Sequence, residues 1–307
     1  MNRLSPRHLA DLQLQDGRGQ TQAWCAASAL VLLGERLYSV ADDELGLAAF
    51  ELAAPGRPGR CWPLVAAPQL PEQPALRKAR KPDLEALCSL PAAPTWPQGA
   101  LLALGSGSTP ARCGWALQAL DAAGLPSGPP RAFDARALYA LLQREHPVLN
   151  IEGACVAVGH VWLAQRGHPG GQRNRLLGWP LQALLAWLQG EAAPRPPEQA
   201  LDCELGALDG VPLGLTDLCA LPDGRILFSA AAEDSDNPVA DGAVAGSVLG
   251  CLAPTGQLAL LGRLPGSLKV EGLVARPEGQ SWRAWLVTDA DQRGQAAQLL
   301  ELSLQIP

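Results

Sequence analysis

The sequence predicts an all-β fold, a β-propeller with five blades of four strands and short helices in its connections. Three observations predict it. One short phrase recurs along the chain, its copies are about one blade apart, and further short apolar runs follow each copy. A recurring unit defines the architecture because each copy buries its apolar face against its neighbours. A sixth, weakly marked blade is the alternative.

The repeated phrase starts with polar or acidic residues and continues as an apolar run. Glu85, Glu152 and Glu271 hold the same place in three copies, Thr216 holds it in a fourth, and Ala27 in a weaker fifth. We assign these phrases to the innermost strand of each blade. They are CAASALVLLG (25–34), KPDLEALCSL (81–90), LNIEGACVAVG (149–159), LGLTDLCALPDG (213–224) and LKVEGLVARPEG (268–279).

Successive copies lie 55 to 67 residues apart. A four-stranded blade with its loops takes roughly 40–50 residues, and long loops extend that length. Two further apolar runs follow each copy and are bounded by turn residues, as strands are. The second runs are 36–44, 100–108, 161–168, 225–236 and 284–292, and the third runs are 45–52, 113–120, 174–181, 247–253 and 298–304.

The last unit lacks a fourth strand, whereas the run HLADLQL (8–14) precedes the first unit without a partner. Pairing the two closes the ring and removes free sheet edges. The segments 133–146 and 180–191 have the apolar spacing of helices. We predict that both are short helices in blade-to-blade connections, and a sixth blade remains open because neither reads clearly as strand.

The repeats favour a single domain over residues 1–307, because they run through nearly the whole chain. A net charge of −6 disfavours nucleic acid as a partner. The apolar stretches fall short of the ~20 residues that a membrane helix needs, and the first residues lack the apolar core of a secretory signal. We expect a cytoplasmic monomer without a membrane partner.

The eight cysteines contain no C-x-x-C pair. Cys88, Cys155 and Cys219 fall at or next to one position of three copies, inside apolar runs, which is typical of buried small hydrophobic residues. A thiol or redox role is the weaker alternative. The four histidines show no zinc spacing, so a zinc site is not predicted.

A set of motifs spread over nearly the whole chain resembles a bacterial family known only as a domain of unknown function. These motifs are KPDLEAL (81–87), LGSGST (104–109) with Arg112, LNIEGA (149–154), QRG (165–167), FSAAAED (228–234), DGAVAGSVLG (241–250), KVEG (269–272) and VTDAD (287–291). That family is distantly similar to phytase-like bacterial propellers, in which similar Glu-Gly openings recur. The resemblance implies a propeller and supplies no catalytic residues.

The repeat also predicts a site, since the innermost strands line the channel and start at one mouth. Glu85, Glu152, Glu271 and Asp217 should therefore converge, with Asp289 from the end of a second strand. Whether second-strand ends lie at that mouth or at the opposite one stays open. Clustered carboxylates repel each other unless protons or a cation intervene, and their oxygens suit Ca²⁺ or Mg²⁺. We predict these five residues as metal ligands.

A structural role for the same glutamates is the alternative. A Glu at a blade start can accept hydrogen bonds from backbone N–H groups of the next blade, or pair with Lys81 or Lys269, and so hold the ring together. Which role applies is a question of distance, because a single metal ion requires its ligands to lie close together.

Four residues are predicted to bind an anion. Ser106 and Arg112 belong to the Gly- and Ser-rich phrase 104–112, Arg166 belongs to the Gly-rich segment 165–174, and Lys269 lies two residues before Glu271. Backbone N–H groups beside a guanidinium form an anion site. The spacing of a nucleotide P-loop is missing, so no nucleotide cofactor is predicted.

The acidic segment EDSDNPVADG (233–242) has oxygens at alternating positions, but Pro238 replaces the glycine of an EF-hand loop and the closing Glu is missing. We predict a solvated loop, with a metal loop at a blade mouth as the alternative.

Two functions remain open. The first is metal-assisted hydrolysis of a small anionic ester, phosphoester or lactone at the channel mouth. The alternative is a non-catalytic propeller that binds a small molecule or a protein and uses its Glu ring structurally, because propellers serve both purposes. An open pocket with facing carboxylates and arginines favours the enzyme, whereas closed Glu–Lys or Glu–backbone contacts favour the scaffold.

Overall fold

Antiparallel sheets surround a central channel in the computed structural model, which describes residues 1–67, 69–168, 173–234 and 242–306. The chain begins with β1 (Arg7–Asp11), β2 (Gln13–Gln15) and β3 (Thr21–Ala23). Blade 1 contains β4 (Ala27–Leu33), β5 (Arg36–Ala41), β6 (Gly46–Glu51) and β7 (Arg60–Pro63). Helix α1 (Pro74–Arg80) leads to blade 2, which contains β8 (Leu84–Leu90), β9 (Ala100–Gly105), β10 (Gly114–Ala119) and β11 (Arg131–Asp134).

Helix α2 (Arg136–Leu142) leads to blade 3, which contains β12 (Ile151–Ala157), β13 (His160–Gln165), β14 (Arg175–Pro180), helix α3 (Leu181–Leu188) and β15 (Gln199–Asp202). Blade 4 contains β16 (Ala207–Leu208), β17 (Val211–Ala220), β18 (Ile226–Asp234), β19 (Ala243–Leu252) and β20 (Leu258–Arg263). Blade 5 contains β21 (Lys269–Glu278), β22 (Ser281–Asp289), β23 (Gln298–Leu304) and the first strand, β1. The predicted all-β propeller of five blades is confirmed.

The N-terminal strand closes the ring, as predicted. β1 pairs antiparallel with β23, so the first strand of the chain completes the last blade. The residues before β1 reach further, because Leu4 and Asn2 exchange backbone hydrogen bonds with Arg263 at the edge of blade 4. The start of the chain thus ties two blades together.

The two segments with helical spacing form helices and not a further blade. α2 connects blades 2 and 3, as predicted, whereas α3 lies within blade 3, between its third and fourth strands. The inward residues Leu184, Leu185 and Leu188 of α3 pack into the core between blades 2 and 3. The apolar spacing predicted the helix but not its position, because a helix can cover the core from either kind of connection.

The innermost strands β4, β8, β12, β17 and β21 pack against one another around the channel. Each pairing register shifts by one residue, at Glu85, Glu152, Thr216, Glu271 and, in blade 1, Ser28. A bulge of this kind leaves one residue unpaired and re-aims its side chain. The fifth member of the repeat is therefore Ser28 and not the adjacent Ala27, which pairs regularly with Ala41.

Glycine follows the bulged Glu in two blades because the innermost strands approach each other closely. A Cβ at Gly153 would lie 2.8 Å from the Cα of Asp217, and one at Gly272 would lie 2.8 Å from the carbonyl carbon of Ala29. The Glu-Gly phrase thus combines a side chain at the bulge with a backbone contact between blades.

Candidate functional site

The polar ends of first and second strands lie at the same mouth of the channel. Lys269 at the start of β21 pairs with Asp289 at the end of β22, and Ala27 pairs with Ala41, directly before Asp42. An antiparallel hairpin returns to the side where it began. The ends of the second strands therefore lie at the same mouth as the starts of the innermost strands, a point that the sequence had left open. We define the acidic mouth as the carboxyl groups of Asp42, Asp83, Glu85, Glu152, Glu233, Glu271, Asp289 and Asp291.

On the side of blades 1 and 2, Asp83 is the centre of the ion pairs. Lys81 Nζ lies 2.9 Å from Asp83 Oδ1 and makes a short contact with Asp42, which belongs to blade 1. Arg112 donates to Asp83 Oδ2 at 2.9 Å, and the Ser106 hydroxyl donates to the same oxygen. The predicted anion ligands Ser106 and Arg112 are thus already bound to a carboxylate.

On the side of blades 3 to 5, two cations share three glutamates. Arg166 lies 2.9 Å from Glu233, 3.5 Å from Glu152 and 3.8 Å from Glu271. Lys269 lies 3.3 Å from Glu271 and 3.6 Å from Glu233, and it donates to Asp291 at 2.8 Å. Arg166 and Lys269, the other two predicted anion ligands, therefore connect different blades through carboxylates.

Asp217, a predicted metal ligand, lies deeper in the channel and is fully buried. It accepts hydrogen bonds from the backbone N–H groups of Leu218 at 2.8 Å, Leu273 at 2.8 Å and Leu30 at 3.4 Å. Since Leu273 and Leu30 belong to blades 5 and 1, the carboxylate links the innermost strands of three blades. Burial raises the pKa of Asp217 well above its ordinary value, and these hydrogen bonds oppose that shift.

Negative charge exceeds positive charge at the acidic mouth. Among the described residues, its eight carboxyl groups face four cationic side chains, those of Lys81, Arg112, Arg166 and Lys269. Glu271 illustrates this excess of carboxylates, because within the described part of the chain neither of its buried oxygens has a hydrogen-bond partner. Burial, followed by nearby carboxylates, raises the pKa of Glu85 well above its ordinary value, and burial does the same for Glu271.

One set of acidic side chains is spaced for a shared cation. Single oxygens of Asp42, Asp83 and Glu85 all lie within 4.8 Å of one another, and this is the one such group of three or more acidic, His or Cys side chains among the described residues. Of the predicted metal ligands, only Glu85 belongs to it. Asp42 and Asp83 were not predicted as ligands, although Asp42 ends a second strand and Asp83 lies two residues before Glu85.

Three other predicted ligands also belong to the acidic mouth. Glu152 and Glu271 contact Arg166, and Asp289, at the end of β22 in blade 5, lies near Lys269 and Asp42. Burial is the main cause that raises the pKa of Asp289 to about 7. A cavity of about 200 Å³ opens beside these groups, and its lining includes Cys25, Asp42, Lys81, Asp289 and Asp291. The acidic mouth is therefore reachable from the side, between blades 1 and 5.

Two predicted loops are described only in part. In the Gly-rich segment 165–174, residues 169–172 lie outside the described residues, and in the acidic segment 233–242 the same holds for residues 235–241. Glu233, at the start of the second segment, belongs to the acidic mouth.

A family model matches residues 24–304, which is nearly the whole chain. The chain belongs to DUF6929, a family of unknown function. The resemblance predicted from the repeated motifs, to a family known only as a domain of unknown function, is thereby confirmed. Among curated proteins, none gives a significant match to this chain.

Several solved structures are similar to this chain at low sequence identity. Glutaminyl cyclase from Myxococcus xanthus is 11% identical, with 99% of each chain covered and a TM-score of 0.50. The α-L-arabinanase of Cellvibrio cellulosa, complexed with arabinohexaose, is 13% identical over 92% of this chain and 93% of that one, with a TM-score of 0.49. An exo-1,5-α-L-arabinanase from a bovine ruminal metagenomic library is 8% identical over 94% and 97%, with a TM-score of 0.46. Only the likeness to the glutaminyl cyclase supports the fold, and it concerns the fold alone.

Among the described residues, no helix is both long and apolar enough to cross a membrane.

Proposed function

We propose that this DUF6929 member binds a divalent cation, Ca²⁺ or Mg²⁺, at the acidic mouth of its channel. The observation that supports this most directly is the triple of Asp42, Asp83 and Glu85, whose oxygens lie within 4.8 Å of one another. Hard divalent cations bind carboxylate oxygens at such sites. Glu85 also lies at a bulge, which holds its side chain toward the channel.

The charge of the mouth supports the proposal. Four cations do not neutralise eight carboxyl groups, so the excess is carried either by protons or by a further cation. Lys81 contacts Asp42 and Asp83, and its ammonium group must move aside when a metal ion takes its place. Among the described residues, Glu85 takes part in no ion pair, whereas Asp42 pairs with Lys81 and Asp83 pairs with Lys81 and Arg112.

The activity that such a site supports is hydrolysis of a small anionic ester, phosphoester or lactone. A bound divalent cation would polarise the substrate oxygen and lower the pKa of a water molecule. Asp289, with a pKa of about 7 and a place in the side cavity, is suited to transfer a proton near neutral pH. Arg112 and Arg166 would hold the anionic group after exchanging a carboxylate partner. The likeness to phytase-like propellers remains a prediction.

A second function is favoured by a specific observation. Arg166 in blade 3 contacts glutamates of blades 4 and 5, and Lys269 in blade 5 contacts Glu233 in blade 4. These contacts hold blades together without any ligand. In a non-catalytic propeller that binds a small anionic molecule or a protein, these contacts between blades would be the whole role of the Glu ring.

Metal content and melting curves distinguish the two. We would measure bound calcium and magnesium in protein purified without added metal, and its Tm with excess Ca²⁺ and with chelator. A site predicts about one ion per chain and a Tm that rises with Ca²⁺, because a ligand that binds only the folded state stabilises it. Glu85→Gln should abolish the rise, whereas the matched control Glu35→Gln, far from the mouth, should keep it.

If the protein contains no bound ion and its Tm does not change with Ca²⁺, the proposal of a metal site is wrong. The structural role of the Glu ring is then favoured. If Ca²⁺ binds, phosphoesters and lactones are assayed with the wild type and with Asp289→Asn. Turnover that depends on the metal supports the hydrolase, and binding without turnover of any of these compounds leaves a cation-binding propeller.

A further inference from the structure

The opposite mouth of the channel is apolar and carries a second ring of equivalent residues. Three residues after each bulge lie Val31, Cys88, Cys155, Cys219 and Val274, one from the innermost strand of each blade. All five line a cavity of about 350 Å³. We call this cavity the apolar cup, and it also includes the strand ends around the ring, from Leu32 and Ser89 to Val156, Ala220 and Ala275.

The cup has a closed floor. Asp217 lies below the ring, and its carboxylate accepts hydrogen bonds from Leu30 and Leu273 on two other blades. Gly153 also packs closely against the backbone of Asp217, so the innermost strands of blades 3 and 4 meet tightly at this level. The cup is therefore a separate cavity and not an extension of the acidic mouth.

The walls of the cup are almost without charge. Among the described residues that line it, Arg276 alone is charged. The guanidinium of Arg276 forms an ion pair with Glu35 and lies 5.1 Å from the centre of the Trp285 ring. Burial raises the pKa of Cys88 and of Cys219 to about 12, so both are neutral thiols at pH 7. A neutral thiol behaves as a small, polarisable hydrophobic group.

We propose that the apolar cup binds one small, uncharged, mainly apolar molecule. Its volume falls within the range of about 300–1,000 Å³ that is usual for small-molecule pockets, which are concave and mostly apolar. The five ring residues line the cavity with apolar groups from all five blades, and each is only 2–8% exposed. The closed floor limits the length of the occupant. Ser89 at the wall offers the one side-chain hydroxyl that could orient it. This site is independent of the cation proposed for the acidic mouth.

Calorimetric titration with toluene as the probe tests the proposal. We expect saturable binding of one toluene per chain. Ser89 is exposed on the wall, so Ser89→Phe should leave the fold intact, fill the cup and weaken binding by at least about tenfold. The matched control Ser89→Ala should keep binding, and melting curves check that both variants fold.

A second variant tests the cup without adding bulk. Cys155→Val places in blade 3 the residue that blades 1 and 5 already use, so binding should persist within about threefold. Absence of saturable toluene binding to the wild type overturns the proposal, and so does binding that Ser89→Phe leaves unchanged. A third outcome is that toluene does not bind but Ag⁺ does, and that Cys155→Val abolishes the binding of Ag⁺. The ring of cysteines would then be a site for a soft metal ion, and the proposal of an apolar ligand would be wrong.

Discussion

Asp217 and Glu271 are both buried carboxylates on neighbouring innermost strands, yet their surroundings differ. Asp217 accepts hydrogen bonds from three backbone N–H groups, whereas neither oxygen of Glu271 accepts one from the residues that the structure describes. Glu271 instead lies between Lys269 and Arg166 at the mouth. A carboxylate surrounded by N–H groups holds strands together, and one surrounded by cations and other carboxylates can exchange partners.

We predict that Asp217→Ala lowers the free energy of unfolding by about 2–4 kcal/mol, because buried N–H groups lose their acceptor. Chemical denaturation measures this change. Asp223→Ala on the same blade removes an exposed carboxylate and should change stability by less than about 1 kcal/mol. Equal effects of the two substitutions would contradict the structural role of Asp217.

Asp289 predicts a pH dependence of stability. Its pKa rises from an ordinary 3.8 to about 7 in the folded state. Between these two values the folded protein keeps a proton that the unfolded chain has released, so this group's contribution to stability falls as the pH rises through the window. Asp289→Asn removes this contribution, so between about pH 4 and 7 the unfolding free energy of the variant should fall less, or rise more, with pH than that of the wild type. Denaturation series at several pH values measure both slopes, and identical slopes would refute the assignment.

At the scale of the element, the bulge and the glycine after it form one device. The bulge in β12 re-aims Glu152, and Gly153 then allows the backbone of β17 to approach. The same pair recurs in β21 as Glu271 and Gly272. The Glu-Gly phrase that marks the repeat in the sequence therefore has a packing cause in addition to any role of the carboxylate.

Gly153→Ala tests this cause. The added Cβ would lie 2.8 to 2.9 Å from three backbone atoms of Asp217 and Leu218, and we expect a loss of about 1–3 kcal/mol from overpacking. Gly114→Ala is the control, since Gly114 also lies in a strand and a Cβ there meets nothing within 4 Å. Thermal unfolding compares the two variants. A Gly153→Ala protein as stable as the Gly114→Ala protein would rule out close approach as the reason for this glycine.

At the scale of the whole molecule, the N-terminus closes the ring. β1 supplies the fourth strand of blade 5, and Arg7 forms an ion pair with Glu301 on β23. Removal of β1 would expose the backbone edge of β23. An unpaired edge of this kind is a template for aggregation.

Deletion of residues 1–11 should therefore lower the Tm and promote aggregation, which thermal unfolding and light scattering measure. A synthetic peptide of residues 1–15, added in trans, should restore much of the Tm because it binds the open edge. The scrambled peptide is the control. A truncated protein with an unchanged Tm would show that closure contributes little to stability.

The sequence predicted the fold well because the fold depends on local, repeated signals. Turn residues between short apolar runs predicted the strands, and the unpaired run 8–14 predicted the closing strand. The exceptions have local causes. Ala27 and Ser28 are adjacent small residues, so the sequence does not show which of them lies at the bulge. The apolar face of α3 predicts a helix but not whether the helix lies between two blades or within one.

The candidate site was predicted less completely, because its geometry depends on contacts between blades. The repeat by itself determined that Glu85, Glu152 and Glu271 begin innermost strands, since their common position fixes their place in each unit. Only the tertiary structure decided their partners. Asp42 comes to Glu85 from another blade, Arg166 reaches glutamates of two other blades, and Asp217 turns to backbone N–H groups. Periodicity specifies the position of a residue within its blade, whereas ion pairs and burial are set by distances across the ring that no spacing along the chain encodes.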